Sequence, residues 1–203
     1  LEFDAYLTNL AGDTADGFTC TLIGGSDPTR IGYGGSAMGY EGLGDNINLA
    51  NGFPGKNVLR NNFAVEFDVR SDCCEMNGGL GAWQSPGAWH LGIDTGGQTF
   101  NSVAQTSAVP DIYDPRGVHC RVQYNRGLVQ VWVHPNDGSQ APEQPALAAR
   151  VLPISFASPD ANAVFGFTAG TGGEKVICEV DNVQVRRIPE SFTQVKASLA
   201  VQV

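Results

Sequence analysis

Glu66, Asp68 and His90 are the residues of this 203-residue chain whose types and spacing invite a chemical reading. They fall in the stretch Asn61 to Asp94, which opens as a strand. Phe63, Val65, Phe67 and Val69 alternate there with Ala64, Glu66, Asp68 and Arg70. One pleat face is therefore apolar and the other carries two carboxylates. A second short strand, Trp89 to Asp94, brings His90 back behind a long Gly-rich loop. Two carboxylates on one face with a returning imidazole supply oxygen and nitrogen donors for a divalent cation. The same alternation equally describes a solvated strand face beside an ordinary histidine.

The elements that would position these residues are all strands. Leu1 to Thr8 alternates, and Phe18, Cys20 and Leu22 alternate with Thr19 and Thr21 in a strand running to Gly24. Val118–Tyr124 and Leu128–Val133 flank Asn125-Arg126-Gly127, the pattern of a tight hairpin. Arg150–Phe156, Val164–Ala169 and Lys175–Arg187 complete the predicted strands, and Asn136–Pro145 reads as a Pro/Gly/Ser surface loop. Residues 24–62 are rich in Gly, Asn and Pro; a loop of that length carries binding or covers a sheet. No long 3.6-residue period is present. Turn signals at these intervals predict an all-β sandwich of antiparallel sheets in one domain, residues 1–188, with 189–203 as a tail or linker to a further module.

Composition narrows the partners. A net charge of -9 argues against a nucleic-acid backbone or an anionic membrane as the main partner, and no apolar run approaches the ~20 residues of a membrane helix. The five cysteines, Cys20, Cys73, Cys74, Cys120 and Cys178, show no CxxC spacing. Their number suggests an oxidising, extracellular or cell-surface setting. Cys120 and Cys178 are the expected pair, both lying on inward strand positions. Against this, Cys20, Cys120 and Cys178 also read as small buried hydrophobes. The chain starts inside a strand, without Met, and is expected to be a piece of a longer protein.

Six motifs occur in a telling order: ADGF (Ala15–Phe18), GGSAMGY (Gly34–Tyr40), FAVEFDV (Phe63–Val69), HLGID (His90–Asp94), VQYN (Val122–Asn125) and VFGFTAGTG (Val164–Gly172). Together they resemble the legume-type, or L-type, lectins, which implies the concanavalin A-like jelly-roll sandwich. The family's strands ahead of the ADG motif are largely lacking. The resemblance implies a loop-built sugar pocket beside paired Ca2+ and transition-metal (Mn2+) sites. It places the sugar-binding carboxylate on Asp16, where a charged acceptor would take hydrogen bonds from vicinal hydroxyls. A backbone N–H at Gly35 and the side chain of Asp72 would join it, and Trp83 is a candidate stacking platform, as is Trp89. Metal ligands carry over as Glu66, Asp68, the Arg70 carbonyl, Asp72 and His90. Ser85 departs from the pattern: it stands where the resemblance expects an aspartate bridging both metals. Losing that carboxylate weakens both sites.

The expected partners are glycans or glycoproteins, with no direct membrane insertion. Two other functions fit the same sandwich. One is a structural or adhesion module, tied to other chains of a larger assembly and carrying a degenerate sugar site. The other is a glycoside hydrolase, which the EFD triplet Glu66–Asp68 invites. Related glucanases carry a further glutamate two or three positions on, where this chain has Arg70 and Ser71.

Overall fold

The computed structural model describes residues 1–9, 16–24, 38–40, 62–69, 90–97, 102–151, 163–170 and 176–187. Among these residues every regular element is a strand: β1 (Glu2–Asn9), β2 (Gly17–Gly24), β3 (Asn62–Asp68), β4 (His90–Thr95), β5 (Ala104–Thr106), β6 (Val118–Asn125), β7 (Leu128–Pro135), β8 (Leu147–Arg150), β9 (Ala163–Gly170) and β10 (Val176–Gln184). They form two five-stranded sheets, β10-β1-β6-β7-β8 and β5-β4-β3-β2-β9. All pairings are antiparallel.

The sequence alternation explains why the sheets stack. Phe3, Ala5 and Leu7 of β1, Val118, Cys120 and Val122 of β6, and Val129, Val131 and Val133 of β7 turn one face of the first sheet inward. Phe18 and Cys20 of β2, Phe63, Val65 and Phe67 of β3, and Leu91 and Ile93 of β4 do the same for the second. Aromatic rings knit the two layers. Phe18 stacks on Phe67 at 4.4 Å, Phe67 meets the edge of Phe3 at 6.0 Å, and Phe3 meets Phe167 at 4.9 Å. Burying each such ring stabilises the sandwich by roughly 1.5–3 kcal/mol, and the edge-to-face contacts add to that.

The predicted hairpin forms with a two-residue loop. Asn125 pairs with Leu128, and Arg126 and Gly127 take φ values of 47° and 90°, the left-handed turn that matches strand twist. Three features differ from the sequence reading. β8 ends at Arg150, where the predicted strand was to begin; residues 152–156 lie outside the described residues. Leu147 and Ala149, inward-facing on β8, carry an alternation too short to stand out. β5 is a strand not anticipated at all: Ala-Gln-Thr is three residues long and ordered by pairing with β4.

The third difference concerns the thiols. Cys20, Cys120 and Cys178 are all free, and Cys120 does not pair with Cys178. β1 runs between their strands: Phe3 pairs with Cys120 and Leu7 with Cys178. Two strand spacings of about 4.8 Å already exceed the reach of a disulfide, about 7 Å between Cα atoms. Cys20 and Cys120 instead belong to the apolar core, as their alternating neighbours indicated. Cys73 and Cys74 lie outside the described residues.

Candidate functional site

The outward face of the second sheet is polar, and register places its residues in rows. One row runs Gly170, Gly17, Asp68, His90 across β9, β2, β3 and β4. The next runs Thr168, Thr19, Glu66, Gly92, Gln105, and a third runs Gly166, Thr21, Ala64, Asp94. Hydroxyl contacts tie the rows together. Thr19 Oγ1 lies 2.7 Å from Thr168 Oγ1 and 2.8 Å from Thr21 Oγ1.

This face is not solvated. Glu66 is 1% exposed, Asp68 8%, His90 0% and Asp94 0%, so the reading of β3 as an ordinary water-facing strand fails. Met38, Gly39 and Tyr40 lie across it. A Cβ added to Gly39 would stand 2.9 Å from Thr168 Cβ, and one added to Gly17 would stand 3.1 Å from Met38 Sδ. Tyr40 packs on Ala64 and Ile23. The long segment after β2 thus brings at least these three residues over the sheet as a cover. Burying carboxylates this way is unfavourable unless charge and hydrogen bonding compensate.

Close approach shapes the middle row. A Cβ built on Gly92 would stand 2.7 Å from Glu66 Oε2 and 2.9 Å from Ser102 Oγ. The Glu66 carboxylate therefore extends over β4 into the space that a side chain at Gly92 would occupy. Ser102 Oγ in turn donates to Asp94 Oδ1 at 2.7 Å. Nearby, the Tyr40 hydroxyl donates to Asn62 Oδ1 at 2.6 Å and accepts from Gly97 N at 3.1 Å. Asn62 Oδ1 also accepts from Gly96 N at 3.0 Å and Gly97 N at 3.2 Å, clamping the turn that leaves β4. Burial raises the Tyr40 hydroxyl well above the usual tyrosine range, and the negative charges of Asp94 and Glu66 raise it further; the Gly97 hydrogen bond opposes them. The phenol stays protonated and remains a donor.

Asp16 enters from the head of β2. Its N–H donates to Gly170 O at 3.1 Å and its carbonyl accepts from Val69 N at 3.0 Å. The backbone of Asp16 is thereby wedged between the ends of β9 and β3. The next residue, Gly17, has φ 137°, and a Cβ there would collide with the Phe67 carbonyl. The Asp16 side chain is 2% exposed.

Of the residues singled out from sequence, the structure gathers Asp16, Asp68 and His90 at one end of the second sheet, with Glu66 one pleat repeat further in. Gly35, Arg70, Asp72, Trp83 and Ser85 lie outside the described residues, as does Trp89. Among the described residues, no group of three or more His, Cys, Asp or Glu side chains is arranged to hold a metal ion. Sequence reasoning missed the Tyr40–Asn62–Gly97 clamp and the Ser102–Asp94 pair. Asp94 and Tyr40 sat in the quoted motifs, but nothing local marked Asn62 or Ser102 as their partners.

No protein-family model and no curated protein matches the sequence. Solved structures do. A lectin from Bauhinia forficata in complex with GalNAc superposes with a TM-score of 0.59 at 20% identity, over 88% of this chain and 68% of that one. Lectin I-B4 from Griffonia simplicifolia, in a metal-free form, gives 0.55 at 22% identity over 89% and 70%. Basic winged bean lectin with Tn-antigen gives 0.55 at 19% identity over 84% of this chain and 60% of that one. The chain thus spans 60–70% of the length of these lectins. Its architecture is an antiparallel jelly-roll sandwich without helix among the described residues. The fold is that of the legume-type (L-type) lectin domain, as the six motifs implied.

Proposed function

We propose that this chain is a carbohydrate-binding module whose glycan site lies at the end of the second sheet that carries Asp16, Asp68 and His90. The observation that carries this reading is the backbone bond from Val69 N to Asp16 O, which joins the tip of the acidic strand to the aspartate of the ADG motif. A residue whose backbone is fixed on both sides presents its carboxylate from a set position, and a carboxylate accepts hydrogen bonds from vicinal hydroxyls. Gly35, Asp72 and Trp83 complete the sugar site in this reading. The solved neighbours in complex with GalNAc and Tn-antigen support a glycan as the ligand class.

Calcium and a second divalent ion such as Mn2+ belong to the same proposal. The fit rests on donor chemistry and on the space at Gly92. Glu66 and Asp68 supply carboxylate oxygens, His90 supplies an imidazole, and the absent Cβ at Gly92 gives the Glu66 carboxylate its room. Asp72 and the Arg70 carbonyl would add oxygen ligands, while Ser85 lowers the negative charge available to the pair of ions. When bound, the ions would neutralise the buried carboxylates and stiffen the Asp16 end of the sheet. An extracellular setting, with glycoproteins as partners, goes with this reading.

The test is a glycan array followed by titration of the best ligand. Asp16→Ala should abolish binding while leaving the circular dichroism and melting of the sandwich in place. Chelation should weaken binding, and Ca2+ should restore it. Intact glycan binding by Asp16→Ala would overturn the site assignment. Release of reducing sugar, lost on Glu66→Gln, would replace it with a hydrolase.

A further inference from the structure

We infer that His119 and His134, on the opposite face of the molecule, form a second and separate metal site, one for a borderline divalent transition ion of the Zn2+ type. The two residues are direct cross-strand partners on β6 and β7, and the outward-facing Asp4 of β1 pairs with His119 from the other side. Their imidazole centroids lie 5.2 Å apart, tilted by 48°.

The proton positions on both rings follow from their partners. His119 Nδ1 lies 2.6 Å from Asp4 Oδ1, and His134 Nδ1 lies 3.0 Å from the Pro135 carbonyl. A carbonyl oxygen only accepts, and an ionised carboxylate only accepts, so each Nδ1 carries the hydrogen. In the neutral ring that leaves Nε2 with its lone pair, ready to ligate. A carboxylate or backbone carbonyl behind Nδ1 is the arrangement that orients metal-binding histidines and raises their basicity. Asp4 is itself fixed, since Asn182 Nδ2 donates to its second oxygen at 2.7 Å.

The spacing suits one ion. With Zn–N bonds of about 2.0–2.1 Å and ring centres roughly 1.1 Å behind each nitrogen, two imidazoles at a tetrahedral angle stand about 5 Å apart. The observed separation matches. His119 is one-third exposed (33%) and His134 half-buried, so water has access to the remaining coordination positions. With two protein ligands the site is an open one, weaker than a closed four-ligand structural site. Imidazole donors favour Zn2+, Cu2+ or Ni2+ over Ca2+ or Mg2+, which prefer oxygen. The two sheets and the core between them separate it from Glu66 and His90, so the inference stands apart from the glycan reading.

The experiment is a titration of the full chain with ZnCl2 in saturating CaCl2, followed by calorimetry and by imidazole nitrogen resonances in NMR. Zn2+ should move the Nε2 resonances of both His119 and His134. His119→Gln and His134→Gln should each weaken binding at least tenfold. Asp4→Asn, which keeps the shape of the side chain but weakens the support behind His119, should weaken it about ten- to hundredfold. His134→Gln alters a partly buried side chain on the outward sheet face and reports on the site even if Asp4→Asn fails to fold. A remaining imidazole of the pair that still shifts at the same Zn2+ concentration in each single-histidine variant, or two imidazoles that stay unmoved at millimolar Zn2+, would overturn the inference, whereas Zn2+ at His90 is read separately from the His90 resonance.

Discussion

Gly92 stands directly opposite Glu66 across β4 and β3, and the Glu66 carboxylate fills the space that a side chain on Gly92 would take. Gly92→Ala should therefore disturb this carboxylate before anything else. Glu66 is fully buried and Ser102 Oγ closes the other side, so the displaced atoms have little room. We expect a loss of about 1–3 kcal/mol in unfolding free energy, typical of overpacking. Urea melts of the variant measure it, and Ca2+ affinity should fall in parallel if Glu66 is a ligand.

Tyr40 and Asn62 should behave as a coupled pair. Tyr40→Phe removes the donor to Asn62 Oδ1 and the acceptor for Gly97 N, which should destabilise by about 1–3 kcal/mol. Asn62→Ala leaves Tyr40 Oη and the Gly96 N–H without this acceptor and should cost more. A double-mutant cycle is expected to return a coupling of about 0.5–3 kcal/mol. Additive effects would show that the clamp over the turn after β4 does not act as a unit.

Asp4 makes stability depend on acid. Desolvation by burial pushes its carboxyl up, but hydrogen bonds from Asn182 and His119 outweigh that, and the net shift is downward. A carboxyl depressed in the folded state contributes stability above its unfolded value, near pH 4. That contribution is lost as pH falls through the lower folded value. Asp4→Asn should lower stability at neutral pH and flatten the acid limb of a plot of melting temperature against pH. An unchanged acid limb would show that the Asp4 interactions do not survive in solution.

The three described thiols should react in an order set by burial. Burial raises Cys20 and Cys120 far above the usual thiol range, and it raises Cys178, on β10, to about 11. The thiolate is the nucleophile, so alkylation of native protein should be slow at Cys178 and absent at Cys20 and Cys120 until the sandwich opens. Peptide mapping after iodoacetamide treatment, with and without denaturant, reads this directly. Rapid native labelling of Cys20 would contradict its place in the core.

Alternation alone determined most strands of this protein, because a half-buried pleat needs apolar residues at every second position; β1, β2, β3, β6, β7 and β9 follow it closely. Motif order carried the sandwich type, and the acidic pair and His90 were visible as types and spacings. Tertiary structure decided what local pattern leaves open. That the outward face of the second sheet is covered involves Met38, Gly39 and Tyr40, which lie against Gly17, Thr168 and Ala64, residues far from them in sequence. β5 exists only through its pairing with β4, and the absence of a Cys120–Cys178 bond follows from β1 running between their strands. The pairing of His119 with His134 on one side and with Asp4 on the other is likewise a matter of register. Long-range sheet order sets which polar groups share a face, and no window of sequence encodes that order by itself.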